Sequence, residues 1–213
     1  MKRGAILRRV IAIAVAVMAI GLAFQLDAPA RELIGRHQDS AVRAFAENVS
    51  QWGDWPAHLV LGLVLAIGAS WRGSKKWARI FVVMLIALTL AGVAARGLKI
   101  ATARARPSVK IEETVGRSHL SPKYHSFPSG HVAASTAFFA VLFFANWRMG
   151  LATLAIPLLI AWARTYAGAH YLSDVVCAAV LGLLCAAIVG RFVLRKIDNS
   201  QPPRRSQTAA TDH

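Results

Sequence analysis

The 213-residue chain is poor in acidic residues and in cysteine. It has 10 Asp and Glu residues against 25 Lys and Arg, which gives a formal net charge of +15 at pH 7. Its two cysteines, Cys177 and Cys185, are too few for a disulfide scaffold, and their spacing in an apolar run is typical of small buried residues on one helix face. Only 16% of the residues are charged and 56% are hydrophobic, whereas a soluble domain has about 25% and about 45–50%. This composition excludes a disordered chain and indicates one that lies partly in lipid.

Six long apolar segments follow one another along the chain. A helix needs about 17–25 residues to cross about 30 Å of hydrocarbon. The segments are Val10–Leu26, Ala57–Trp71, Trp77–Leu98, Ser129–Ala145, Leu151–Ala167 and Leu172–Leu194. The sequence therefore predicts an all-α polytopic membrane protein, with a bundle of six transmembrane helices in residues 1–196. Residues 197–213, which are rich in Pro, Ser, Thr and Gln, are predicted to form a disordered cytoplasmic tail.

The distribution of basic residues predicts the orientation of the helices. The amino terminus, the connection between the second and third segments, and the carboxyl-terminal tail are all basic. The positive-inside rule places these parts, and both termini, in the cytoplasm. The high charge then reflects topology and attraction to anionic lipid, and it does not indicate nucleic-acid binding. The first connection, residues 27–55, has charges of both signs and is expected to be an external loop.

The first segment has a second interpretation. Its basic start, its apolar stretch and the following Ala28-Pro29-Ala30 also fit a signal peptide with a cleavage site. Cleavage would leave five spans, with the other loops on the same sides of the membrane.

One external connection breaks the charge rule. The stretch from Lys99 to Phe127 is strongly basic although helix counting places it outside. The ends of four predicted helices meet at this face and bring together Lys99, Arg106, His131, Arg164, His170 and Asp174. Ionisable groups at the lip of a helical bundle are costly and indicate a functional site. Three cations, two imidazoles and one carboxylate predict a bound multiply charged anion, for which phosphate is the obvious candidate.

The residue spacings suggest how such a site is built. Lys99 and Arg106 are seven residues apart, so they would share one face if the helix continued that far. Ser129 and Gly130 begin the fourth segment, where free backbone N–H groups and the hydroxyl would bind an anion. His170 and Asp174 are four residues apart, so the carboxylate would hold one imidazole nitrogen and leave the other to attack.

Three motifs at this face resemble the signature of the type 2 phosphatidic acid phosphatase superfamily. They are Lys99, six residues, then Arg106-Pro107; Pro128-Ser129-Gly130-His131; and Arg164, five residues, His170, three residues, Asp174. The signature region is 99–174, and the resemblance extends over about residues 85–194. One departure is Ala163, where the family usually has Ser before the arginine.

The resemblance implies a role for each motif residue. His170 would attack phosphorus to form a phosphohistidine, Asp174 would orient it, and His131 would act as general acid and then general base. The phosphoryl oxygens would be bound by Lys99, Arg106, Ser129, Gly130 and Arg164. No metal and no other cofactor is implied, because the cations neutralise the phosphate.

The implied activity is hydrolysis of a lipid phosphate or diphosphate at the outer face of the cytoplasmic membrane. Similar proteins act on phosphatidate, phosphatidylglycerophosphate, undecaprenyl diphosphate or lipid A phosphates, and the motifs do not distinguish these. Lys110, Arg117 and Lys123 favour a headgroup with more than one phosphate. Two alternatives remain open, a lipid phosphotransferase of the same family and a non-catalytic anion-binding or lipid-binding membrane protein or transporter. The sequence does not indicate the oligomeric state.

Overall fold

The computed structural model describes residues 2–109 and 121–198. This part of the chain is helical and contains no strand, which confirms the all-α prediction. Its eight α-helices are α1 Lys2–Arg36, α2 Ser40–Trp52, α3 Trp55–Trp71, α4 Lys75–Thr102, α5 Gly130–Ala145, α6 Trp147–Thr153, α7 Ala155–Tyr166 and α8 Leu172–Asp198.

Among the described residues, four helices are long and apolar enough to cross a membrane. They are α1, α4, α8 and the segment Trp147–Tyr166, which joins α6 and α7. Helices α2 and α3 form a fifth candidate if this pair, bent by 51°, is one broken span. Helix α5 is apolar but has only 16 residues. The chain is therefore a membrane protein with four or five candidate spans, and the six-span count and the orientation of the termini stay predictions.

The first connection differs from the expected loop. Helix α1 continues to Arg36, and α2 occupies most of the remaining residues before α3. Asp39 begins α2 because its carboxylate accepts hydrogen bonds from the N–H groups of Ala41 and Val42 at 2.7 and 3.0 Å. The predicted fifth segment is also divided, since α6 ends and α7 begins around Leu154. Of the predicted tail, residues 199–213 lie outside the described residues.

Helix α5 lies at the centre of the bundle. Its residues from Val132 to Leu142 are all buried, and they pack against α4 and α8. Small residues bring these helices close together: a Cβ at Gly182 of α8 would lie 2.6 Å from the carbonyl oxygen of Ala133. Helices in lipid associate through close backbone approach of this kind, because apolar side chains gain little free energy when they move from lipid into a helix interface. The packing fixes the start of α5 beside the start of α8.

Candidate active site

Helix α4 ends before it reaches Arg106. Ala103 adopts a left-handed conformation, with φ 41° and ψ 42°, and its N–H caps the helix by donating to the carbonyl of Lys99. The helix therefore does not continue as far as Arg106, and the condition for a two-turn alignment of Lys99 with Arg106 is not met. Instead, the loop holds Arg106 through Nε, which donates to the carbonyl of Pro122 at 3.1 Å. The Lys99 ammonium donates to the carbonyl of His125 at 2.7 Å.

The start of α5 presents a buried, unsatisfied hydroxyl. Ser129 occupies the N-cap position but its side chain makes no capping hydrogen bond. Its Oγ is fully enclosed and has no hydrogen-bond partner among the described residues. The Ser129 N–H donates to the backbone carbonyl of Asp174 at 3.1 Å, which ties α5 to α8. Gly130 follows directly beneath the Lys99 side chain, since a Cβ there would lie 3.6 Å from Lys99 Cε. A buried hydroxyl without a partner suits a ligand oxygen.

Arg164 lies in the last turn of α7. Its Nη1 donates to the hydroxyl of Ser50 in α2 at 2.6 Å, while its buried Nε has no partner among the described residues. The chain then turns through Gly168, whose φ of +68° favours glycine. This turn leads directly to His170.

His170 and Asp174 lie beside each other at the start of α8. His170 precedes the helix and Asp174 is in its first turn. Both side chains are buried, and His170 Nδ1 lies 3.6 Å from Asp174 Oδ2. This is an ion-pair distance, longer than a hydrogen bond, and catalytic pairs often tighten only when substrate binds.

The surroundings keep His170 neutral. Burial lowers the pKa of His170 to about 4, the contact with Asp174 opposes this shift, and the charges of Lys99 and Arg164 add to it. A neutral imidazole has a free lone pair and can act as a nucleophile.

Three cations surround the two imidazoles. Lys99 interacts electrostatically with both Arg106 and Arg164. All three also interact with His131. Burial lowers the pKa of Arg106, but a guanidinium keeps its charge at neutral pH. Within residues 2–109 and 121–198, no three His, Cys, Asp or Glu side chains are grouped to hold a metal ion. The arrangement suits a multiply charged oxyanion.

Several partners of these residues were missed by sequence reasoning. His131 Nε2 lies 3.3 Å from Oδ1 of Asp54, which stands at the break between α2 and α3. Ser126, Arg104 and the N–H of Tyr171 all donate to the Asp174 carboxylate. The only available signal was that these polar residues lie near the ends of apolar segments.

A largely apolar groove leads to the site between α3, α4 and α5. Its volume is about 750 Å³. Leu59, Leu88 and Val93 line it along the helices, and Lys99 and His131 line it where it reaches the site.

Fold and site together define a helical membrane protein in which three cationic side chains lie around a buried histidine–carboxylate pair. The chain belongs to the PAP2 superfamily, which its sequence matches over residues 76–198, more than half of its length.

Two solved structures have similar folds. One is the transmembrane PAP2-type phosphatidylglycerolphosphate phosphatase from Bacillus subtilis, with 19% identity and a TM-score of 0.67 over 91% of this chain and 98% of that one. The other is LpxE from Aquifex aeolicus, with 22% identity and a TM-score of 0.59 over 78% of this chain and 95% of that one. No curated protein matches the chain.

Proposed function

We propose that the protein is a lipid phosphatase that removes phosphate from a lipid phosphate or diphosphate through a phosphohistidine at the outer face of the cytoplasmic membrane. The observation that supports this most directly is the buried His170–Asp174 pair, which faces the charge of Lys99 and Arg164. Anion binding alone does not need a neutral, buried nucleophile. Membership of the PAP2 superfamily supports the same activity.

In the first step, Nε2 of His170 attacks phosphorus. Nδ1 faces Asp174 and keeps its proton, so the carboxylate stabilises the positive charge that develops on the ring. The bond from phosphorus to the lipid oxygen breaks, and His131 transfers a proton to that oxygen. Lys99, Arg106 and Arg164 offset the charge on the phosphoryl oxygens.

In the second step, water attacks the phosphohistidine. His131 takes a proton from the water as its oxygen bonds to phosphorus, and the phosphorus–nitrogen bond breaks. Inorganic phosphate then leaves and His170 is neutral again. In this mechanism the hydroxyl of Ser129 and the N–H of Gly130 bind phosphoryl oxygens throughout, and the buried Ser129 Oγ without a partner among the described residues supports this role.

The groove between α3, α4 and α5 gives the lipid chain a lateral route. Its apolar walls suit an acyl or prenyl chain, and the Lys99 and His131 side chains lie where the headgroup would arrive. Of the residues that favour more than one phosphate, Lys123 is described, whereas Lys110 and Arg117 lie outside the described residues. We keep that preference as part of the proposal.

The test is phosphate release by the purified protein in detergent with excess EDTA. The panel contains phosphatidate, phosphatidylglycerophosphate, lipid A phosphate, and undecaprenyl monophosphate beside its diphosphate. We expect wild type to release phosphate in chelator, His170→Ala to release none, and His37→Ala, an exposed histidine, to match wild type. Faster release from the diphosphate would support the preference for more than one phosphate.

Four results would contradict the proposal in different ways. No phosphate release by well-folded wild type would favour a binding protein or transporter. Full activity of His170→Ala would refute the phosphohistidine intermediate, and loss of activity in EDTA would refute the metal-independent mechanism. Radiolabel transferred from one lipid to another, without free phosphate, would favour a phosphotransferase.

A further inference from the structure

Asp174 has more partners than orientation of one imidazole requires. Its Oδ2 accepts from the Ser126 hydroxyl at 2.5 Å and from the Tyr171 N–H at 2.8 Å, and the same oxygen faces His170. Its Oδ1 accepts from Nη1 of Arg104 at 2.7 Å. The carboxylate is fully buried, so these contacts fix the plane in which it meets the imidazole.

Arg104 also contacts a second carboxylate, Asp27 of α1. Nη2 of the guanidinium donates to Asp27 Oδ2 at 2.7 Å while Nη1 donates to Asp174. The two side chains of this pair are 26% and 12% exposed, so solvent screens them little. The guanidinium carbon lies over the ring of Tyr171, 4.3 Å from its centroid, and over the ring of Phe24, 5.3 Å from its centroid. A planar fork held in this way can bridge two carboxylates, which a lysine ammonium cannot do in the same geometry.

Asp27 is held in turn by the start of α8. Its Oδ1 accepts from the backbone N–H of Ser173 at 2.8 Å, and its Oδ2 accepts from the Ser173 hydroxyl at 2.6 Å. That hydroxyl also accepts from Arg104 at 2.7 Å. Asp27 therefore fixes both the arginine and the helix turn that contains Asp174.

We infer that Asp27 and Arg104 are positioning residues for the His170–Asp174 pair: Asp27 holds Arg104, and Arg104 holds the carboxylate that orients the nucleophile. The inference rests on the proposed function and deepens it. Both residues act through the Asp174 carboxylate and not directly on the substrate. Losing either one should slow the chemical step without weakening substrate binding.

The experiment measures kcat and KM for Asp27→Asn, Arg104→Lys and the double variant, on the lipid that wild type hydrolyses fastest. We expect each single variant to lose about tenfold in kcat with KM nearly unchanged. The double variant should lose little more than either single one, because both break the same connection. Two residues acting independently would instead give about a hundredfold loss. Full kcat in both single variants, or multiplying losses, would overturn the inference.

Controls separate positioning from folding. Glu32→Gln removes an exposed α1 carboxylate that pairs with Arg36, and it should leave kcat unchanged. Ser173→Ala removes the hydroxyl shared by Asp27 and Arg104 but removes no charge, so it should disturb the fold little. We expect it also to lower kcat with KM nearly unchanged. Activities are compared well below each variant's melting temperature. The proposed function fails if wild type releases no phosphate or if His170→Ala still releases phosphate. If wild type and His170→Ala behave as expected but the positioning variants keep full kcat, only the present inference fails.

Discussion

Phosphohistidine formation should persist in acid, because burial keeps His170 neutral. The perturbation is a decrease in pH from about 7.5 to about 5.5, across the ordinary imidazole pKa of about 6.5. The pKa of His170 is lowered to about 4. A group whose folded-state pKa is depressed stays unprotonated until the pH falls to that lower value.

The expected difference is large enough to measure. At about pH 5.5 an imidazole with a pKa of about 6.5 is roughly 90% protonated, whereas one with a pKa of about 4 is roughly 3% protonated. The rate of the first step should therefore change little, where an ordinary histidine would lose about tenfold. Lower pH also favours the protonated form that the general acid needs, so a loss in acid would report on the nucleophile.

Two measurements check this prediction. Single-turnover formation of the phosphoenzyme is followed at each reaction pH by quenching in alkaline detergent, because a phosphohistidine is hydrolysed in acid, and ionisation of the lipid phosphate is measured separately by phosphorus NMR. Nitrogen NMR of protein labelled at histidine gives the pKa directly, with the His170→Asn variant identifying the signal. A His170 signal that titrates near 6.5, or a tenfold slower first step in acid, would refute the reasoning.

Two further predictions concern packing and lipid access. Gly182→Ala should destabilise the protein by about 1–3 kcal/mol, because the new Cβ would lie 2.6 Å from the Ala133 carbonyl oxygen. Thermal unfolding in detergent measures this loss, with Gly68→Ala as the neutral control. A Gly182→Ala melting temperature equal to that of wild type would contradict the prediction. Gly92→Trp should raise KM for long-chain lipid phosphates and leave a short, water-soluble phosphate ester unaffected. Gly92 lines the groove, and in the described part of the chain no atom beyond its own stretch of helix lies within 4 Å of the added Cβ. The matched control is Gly21→Trp in α1. Equal KM values of Gly92→Trp and wild type for the long-chain lipid would exclude this route.

Motif spacing located the helix ends of the site from sequence alone. Lys99, His131 and His170 each lie beside a break between apolar segments, and in the structure these segment ends lie close to one another. This works because an apolar run must end near the membrane surface, so polar residues at its end share a known depth. The catalytic roles themselves stay predictions.

The partners that join distant parts of the chain were beyond sequence reasoning. Asp27 and Ser173 are 146 residues apart and meet only because α1 packs against α8. The end of α4 was not predictable from the sequence either: Ala103 adopts a left-handed conformation and ends the helix at Thr102, before Arg106. The charged residues of the first connection predict an external loop, whereas in the structure Asp39 begins a helix there.

The segment shared with the family, residues 76–198, does not contain all the residues that contact the candidate site. Helices α1, α2 and α3 all lie outside it, yet α1, α2 and the N-cap of α3 supply Asp27, Ser50 and Asp54 to the site. A shortened protein limited to the shared segment would leave Arg104, Arg164 and His131 without these contacts. The amino-terminal helices therefore belong to the architecture of the candidate site as well as to the membrane anchor. Joining the shared segment to another anchor would require equivalent polar residues at three separate positions.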